Sequence, residues 1–264
     1  MSLEAKVYIV GAGPGDPELI TVKGMRILQQ ADVVIYTDSL VRDELMEMVG
    51  KSAVVHRSAG MVLEDMVDIM VEAVRQGQSV ARVHTGDPSV FGAILEQMAL
   101  LRRAGVAYEI VPGVSSVFAA AAVVGAELTV PDLTQTVILT RMGGRTPMPE
   151  GEQLRDLARH HSTVALYLSA TLAKKAVDEF LMAGWSPDTP VAVVQKATWP
   201  DQKVVRTTLD GLVRAMGDEH ISSHAMILAG WALDPTLPER GEHKSKLYDK
   251  SFTHRYRKGV TVHD

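Results

Sequence analysis

The chain has 264 residues, of which 46% are hydrophobic and 22% charged, and its formal net charge is −5. This is enough apolar material for one large globular domain or two small ones, and the negative balance argues against a broad grip on nucleic acid, which needs a basic face. No cysteine is present, so disulfides, thiol nucleophiles, iron–sulfur clusters and thiolate zinc sites are excluded, and a metal would have to sit on His or carboxylate.

Short β-rich runs alternate with helix-length amphipathic stretches from the start. Val7–Val10, Val33–Tyr36, Ala53–His56, Val80–His84 and Tyr108–Val111 read as strands, which predicts parallel βαβ units. After Gly60, the residues Val62, Met66, Ile69, Met70 and Ala73 recur at spacings of three and four and predict one buried helical stripe. A small-residue helix is predicted from Ser115 to Val124, and the texture changes over Gly125 to Gln135 around Pro131. A domain boundary is placed there, giving a first α/β domain over residues 1–130, a second over 131–240 and a basic tail over 241–264. In the second domain Thr136–Thr140, Thr163–Leu168, Val191–Gln195, Val204–Thr207 and His224–Ala229 read as strands, with helices at Leu154–Arg159, Leu172–Leu181 and Leu209–Met216. The fourth of these strands follows the third too closely for a helical crossover, so a hairpin through Trp199-Pro200-Asp201 and a mixed sheet are expected. The longest apolar run, Val117 to Ala126, is too short to cross a bilayer, and the first residues lack the basic-then-apolar order of a signal peptide. A cytoplasmic protein without a membrane partner is the expectation.

Three loops follow strands of the first half. The first, Gly11-Ala12-Gly13-Pro14-Gly15-Asp16, invites a dinucleotide-binding reading but breaks its spacing, and Pro14 removes a backbone donor. A tight strand-to-helix turn is the alternative. The second, Thr85-Gly86-Asp87-Pro88 with Ser89-Val90-Phe91-Gly92, offers Asp87 for ribose hydroxyls or an ammonium group and Gly86 for close backbone approach, although Gly-Asp-Pro is also an ordinary turn. In the third, Pro112-Gly113-Val114-Ser115-Ser116, the two serines either cap a helix or present hydroxyls and amides to a ligand. Loops at the carboxyl ends of strands in one half-chain converge on one edge of one sheet, where open α/β sheets bind ligands.

These loops, in this order and spacing, resemble those of the tetrapyrrole methylases, which use S-adenosylmethionine to methylate carbons of corrinoid and sirohaem precursors. The resemblance extends through Tyr167-Leu168-Ser169-Ala170, Gln195-Lys196-Ala197-Thr198 and the segment from His224 to Gly230. Leu128–Arg141, Gly144–Pro149, Gln195–Lys203 and Ser245–Arg257 are similar to members that methylate C-11 of precorrin-4 or its cobalt form. The resemblance implies a fold of two αβα domains with the active site in the cleft between them. It implies S-adenosylmethionine as donor, with S-adenosylhomocysteine as product, held by Pro14, Gly86, Asp87, Val90, Ser115, Ser116, Leu168 and Ala197. It further implies a homodimer and an acidic precorrin substrate. Cations for its carboxylates are sought at Arg141, Arg145 and Lys196 and in the tail residues between Arg240 and Lys258, with Asp16 grouped as a further substrate contact.

A sulfonium donor needs no nucleophilic side chain, because the methyl passes in line to an electron-rich carbon and the protein chiefly positions and excludes water. No catalytic residue is therefore assigned. His220 and His224 have a four-residue spacing, but Gly217 and the β-like run after Ser223 break the helix a metal pair would need, and no metal is expected. His84 reads as a satisfied strand-end histidine. Other corrin-pathway methylases, a nicotinamide-dependent oxidoreductase built on the first glycine loop, and a non-catalytic tetrapyrrole carrier remain as alternatives. Whether the substrate contains cobalt is left open.

Overall fold

The structure is a computed structural model describing residues 3–260. The chain folds into two compact units, the first comprising residues up to 119 together with Lys196–Asp201, the second Ala120–Gln195 together with residues from 202 onward. The last four residues of the predicted tail, 261–264, lie outside the described residues, as do residues 1–2 of the predicted first domain.

In the first unit, β1 (Val7–Gly11), β2 (Val33–Tyr36), β3 (Val54–Arg57), β4 (Val80–His84) and β5 (Tyr108–Val111) form one parallel sheet in the order β3-β2-β4-β1-β5. Every residue of β1, β2 and β4 is buried, as expected of parallel strands covered on both faces. Side chains alternate between two cores. Val7, Ile9, Val33, Ile35 and Val80 meet α3 (Leu63–Arg75) and α4 (Ile94–Arg103) through Met66, Met70, Ile94 and Leu101. Tyr8, Val10, Val34, Tyr36, Ala81 and Val83 meet α1 (Val22–Gln30) and α2 (Asp43–Met46) through Ile27, Leu28 and Leu45. Each buried Leu, Ile or Met of this kind contributes roughly 1.5–3 kcal/mol. Thr21 caps α1 by accepting the Gly24 N–H at 3.1 Å.

The predicted stripe of α3 needs one correction. Val62 precedes the helix and is 59% exposed; Val67 and Val71 join Met66, Met70 and Ala73 on the buried face instead.

This topology places the helices that follow two neighbouring strands on opposite faces. The chain leaving β1 packs α1 on one face, and the chain leaving β4 packs α4 on the other. The carboxyl ends of β1 and β4 thus flank a topological switch point, where the two departing loops leave a crevice.

The second unit has strands β6 (Val137–Arg141), β7 (Thr163–Tyr167), β8 (Pro190–Gln195), β9 (Lys203–Thr208) and β10 (Ala225–Ala229) in the order β6-β7-β10-β8-β9. Only β6 and β7 run parallel; β8 and β9 form the expected antiparallel hairpin and the sheet is mixed. α6 (Leu154–Ala158), α7 (Ala173–Met182) and α8 (Leu212–Asp218) cover it through a core around Leu166, Phe180, Val193, Leu212 and Ile227. The Phe180 and Trp185 rings lie 4.5 Å apart, and the Trp185 indole N–H donates to the Ala158 carbonyl at 2.7 Å. α8 begins later than Leu209, because the β9 pairing runs to Thr208 and Leu209 N–H bonds the Thr189 carbonyl. In the basic tail, Arg257 donates to the carbonyls of Leu247 and Asp249 at 2.8 and 2.5 Å, closing a compact local turn. No helix among the described residues is long and apolar enough to cross a membrane.

Candidate functional site

The three loops read from the sequence meet at the switch point, and their main chains touch. Gly13 and Gly86 exchange reciprocal N–H to carbonyl bonds at 3.2 and 2.8 Å. A side chain on Gly113 would stand 2.2 Å from the Gly86 carbonyl oxygen, and one on Gly11 2.6 Å from the Gly113 nitrogen. These glycines are required because backbone packs on backbone. Gly86 differs: a Cβ there would have ordinary room, but its φ of +62° is left-handed, so conformation is what demands glycine.

The donors of the first loop are largely spent inside the protein. Ala12 N–H bonds the His84 carbonyl at 2.7 Å, Gly13 N–H the Gly86 carbonyl, and Asp16 N–H the Thr198 hydroxyl at 2.9 Å, while Pro14 has no N–H. A phosphate cradle needs such amides unspent and convergent, so this loop does not fit a dinucleotide pyrophosphate. Asp16 accepts the Glu18 N–H at 2.9 Å and caps the 3-10 turn Pro17–Leu19.

Asp87 ties the second loop to the third. One carboxylate oxygen accepts the Gly113 N–H at 2.9 Å and the other accepts the Ser89 N–H at 2.8 Å and the Ser89 hydroxyl. Burial works to raise this carboxyl; the hydrogen bonds from Ser89 and Gly113 outweigh it and hold it below the usual carboxylate range. Asp87 is thus a fixed negative charge at the mouth of the crevice. Val90 is half-buried on the same turn, with its N–H on the Asp87 carbonyl at 3.3 Å. Phe91 and Ala93 then adopt left-handed conformations, φ 54° and 49°, before α4 begins. Such residues typically cost about 1–3 kcal/mol each and concentrate at functional loops. Ser115 is buried and its carbonyl receives the N–H groups of Phe118 and Ala119, so it opens α5 (Ser116–Val123), of which Ser116 is the first residue.

Beneath these loops lies a buried polar network that only a period-two reading of β4 could have hinted at. Arg82 is 5% exposed and donates to the Gln97 side-chain oxygen (3.3 Å), the Ser58 hydroxyl (3.1 Å), the Thr37 hydroxyl (3.3 Å) and the Ile35 carbonyl (3.3 Å). Burial pushes its guanidinium down to about 10, still charged at neutral pH. His84, two residues on and facing the same way, is buried, and its Nε2 has no hydrogen-bond partner, which corrects the satisfied histidine expected from sequence. Burial, with the Arg82 charge, outweighs a hydrogen bond with Gln97 and pushes it down to about 3, so the ring is neutral.

Lys196–Asp201 joins the first unit although the strands flanking it belong to the second. It brings buried Ala197 and half-buried Lys196 to the first glycine loop, where the Ala197 carbonyl lies 3.2 Å from a side chain built on Gly15. Lys196 pairs with Asp201 at 2.5 Å and lies 5.4 Å from the Trp199 ring centre. Pro14, Asp16, Gly86, Asp87, Val90, Ser115, Ser116, Lys196 and Ala197 therefore belong to one unit and gather around one strand edge. Trp199 was not foreseen as a site residue; its sequence signals were its place in the Gln195–Lys203 segment and in the Trp199-Pro200-Asp201 hairpin turn.

Arg141, Arg145 and Leu168 lie in the second unit. Arg141 spends its guanidinium on the carbonyls of Met142, Thr146 and Pro147 at 3.0–3.2 Å and shapes the loop that exposes Arg145. Leu168 follows β7 in a left-handed conformation, φ 53°, with 73% of its surface exposed. Beside it, buried Ser169 accepts the Met142 N–H at 2.9 Å and donates to the Tyr167 carbonyl at 2.6 Å, fastening the ends of β6 and β7 together.

Comparison with known proteins shows the family. The family model for tetrapyrrole (corrin/porphyrin) methylases matches residues 6–213. A Priestia megaterium protein named cobalt-precorrin-4 C(11)-methyltransferase is 63% identical over 97% of this chain and 98% of its own. The crystal structure of a cobalt precorrin-4 methyltransferase of cobalamin biosynthesis superposes with a TM-score of 0.86 at 64% identity, covering 88% of this chain and 97% of that one. A uroporphyrin-III C-methyltransferase from Thermus thermophilus, solved with S-adenosylhomocysteine, superposes with a TM-score of 0.72 at 29% identity, covering 86% and 98%. On sequence and fold together, the chain belongs to the tetrapyrrole methylases.

Proposed function

We propose that this protein transfers a methyl group from S-adenosylmethionine to C-11 of cobalt-precorrin-4 in the assembly of the corrin ring. The observation that carries the reading is the 63% identity, over nearly the full length of both chains, to a protein bearing that activity in its name. The switch-point crevice supports it from physics: a ligand site in an open parallel sheet lies at the carboxyl ends of the strands. The site suits a donor that is cationic at sulfur and amine, because Asp87 is an ionised carboxylate held in place by hydrogen bonds.

In this reading Pro14, Gly86, Asp87, Val90, Ser115, Ser116, Leu168 and Ala197 hold the donor, and Asp16, Arg141, Arg145 and Lys196 face the acidic macrocycle. S-adenosylmethionine supplies an activated methyl on a sulfonium sulfur. The protein's own contribution is orientation and exclusion of water, which lower the barrier without a nucleophilic side chain. Asp87 fixes the second and third loops to each other, and the exposed guanidinium of Arg145, on the loop that Arg141 shapes, suits bidentate carboxylate recognition. The protein is read as a cytoplasmic homodimer, and sedimentation giving only monomer would contradict the assembly.

The test is mass spectrometry of cobalt-precorrin-4 and of metal-free precorrin-4 after incubation with isotopically labelled donor. One labelled methyl at C-11 of the cobalt form is expected; a methyl at another carbon, or none, would refute the assignment, and faster turnover of the metal-free form would move it to the other substrate. Calorimetry with S-adenosylhomocysteine and NADPH separates the rival class, since binding of NADPH alone would favour an oxidoreductase.

A further inference from the structure

Gly15 and Trp199 are 184 positions apart in sequence and interlocked in space. A Cβ added at Gly15 would fall 2.1 Å from Trp199 Cδ1 and 2.2 Å from its Nε1, so the indole occupies the space that any side chain at position 15 would need. The same indole N–H donates to the Pro14 carbonyl at 2.9 Å, and the neighbouring Thr198 hydroxyl accepts the Asp16 N–H at 2.9 Å. Three consecutive residues of the first glycine loop are therefore held by two consecutive residues of the 196–201 segment.

That segment is built to stay rigid. Lys196 and Thr198 take left-handed conformations, φ 49° and 70°, and the Trp199 N–H closes a turn onto the Lys196 carbonyl at 2.9 Å. The Lys196–Asp201 pair closes it again from the side chains, and Arg42 lies 5.7 Å from the Trp199 ring centre. Residues in such conformations persist where surrounding contacts over-determine them, and here the contacts converge on the indole.

We propose that Trp199 is a positioning residue, which sets the main chain of Pro14–Gly15–Asp16 and through it the seating of the tetrapyrrole substrate, with Gly15 as its obligatory partner. The inference rests on the methyltransferase reading for its substrate. The remaining donor loops are fastened independently of Trp199, by the Asp87–Gly113 hydrogen bond and the Gly11, Gly86 and Gly113 packing. Of the eight donor contacts the indole bonds only Pro14, whereas Asp16 of the same loop faces the substrate, so loss of the indole falls on the macrocycle more than on the donor.

A four-protein cycle on the full chain tests this: wild type, Trp199→Ala, Gly15→Ala and the double variant, with Trp199→Phe as the conservative control. Trp199→Ala is expected to raise KM for cobalt-precorrin-4 about tenfold while the S-adenosylhomocysteine dissociation constant moves less than about threefold, and Trp199→Phe to restore most of the KM. Gly15→Ala alone is expected to lose more than about a hundredfold in kcat/KM, and the second change Trp199→Ala to bring the loss back to the roughly tenfold loss of Trp199→Ala itself, since the clash then has no partner. Parallel loss of both affinities with a lowered Tm, or a double variant that shows the product of the two single losses, would overturn the proposal. If wild type neither binds S-adenosylhomocysteine nor methylates, the function reading fails. The interlock is then decided by Tm, with compensation in the double variant supporting it and additivity refuting it.

Discussion

Acid is expected to destabilise this protein in part through one side chain, His84. The ring is buried at the end of β4, its Nε2 has no partner, and burial with the nearby Arg82 charge pushes it down to about 3. In the unfolded chain the same ring titrates near 6.5. Between these values the unfolded state binds a proton that the folded state does not, so the slope of stability with pH is positive. The contribution is fully present above about 6.5 and is lost progressively as pH falls toward 3. From pH 7.5 to pH 5.0 the unfolded ring becomes almost fully protonated, which amounts to about 2 kcal/mol against folding.

The assay is urea unfolding of wild type and His84→Leu at both pH values. Carboxylates and other histidines titrate alike in the two proteins, so the difference between their pH profiles isolates His84. Wild type is expected to lose about 2 kcal/mol more than the variant on acidification, and the variant to match or exceed wild type at pH 7.5, where it removes a buried atom with no hydrogen bond. Parallel profiles would refute the reasoning, because they would mean that the ring is protonated in the fold or reached by water.

Three further outcomes follow from contacts already described. Gly113→Ala drives a methyl to 2.2 Å from the Gly86 carbonyl oxygen and is expected to cost at least about 2 kcal/mol by thermal unfolding, whereas Gly60→Ala, with nothing within 4 Å, stays within about 0.5 kcal/mol of wild type. Asp87→Asn removes the charge and places an amide where both Gly113 and Ser89 donate; S-adenosylhomocysteine affinity measured by calorimetry is expected to fall about tenfold, with stability lowered by about 1–3 kcal/mol. Ser169→Ala leaves the Met142 N–H without its acceptor at the joined ends of β6 and β7, and urea unfolding is expected to show a loss of about 1–2 kcal/mol.

The elements that the sequence disclosed are those whose signal is local. β1 and β2 are buried on both faces, so they read as unbroken apolar runs, and the Trp199-Pro200-Asp201 break between β8 and β9 announced a hairpin. Errors fell where a neighbour extended or displaced an element: Val62 looked apolar and periodic but stands before the first turn of α3, and β9 pairing delays α8 to Leu212. The alternation of β4 sorted its residues by face but carried no sign that Arg82 and His84 would share a network with Gln97, thirteen residues beyond His84.

The glycine loops show most clearly what pattern alone leaves open. Glycine in a loop has three physical meanings: a left-handed φ, a close backbone neighbour, or room for a ligand, and a string of letters does not separate them. Here Gly86 is the first kind, Gly11 and Gly113 the second, and Gly15 a variant of the second in which the close neighbour is a side chain, the Trp199 indole. None of the four is glycine merely to admit a ligand. The crevice at the switch point is bounded by glycines whose work is to bring three main chains and one tryptophan together, and under the proposed function ligand contact falls to the groups those glycines position: the Asp87 carboxylate, the start of α5 at Ser115 and Ser116, and the Ala197 main chain.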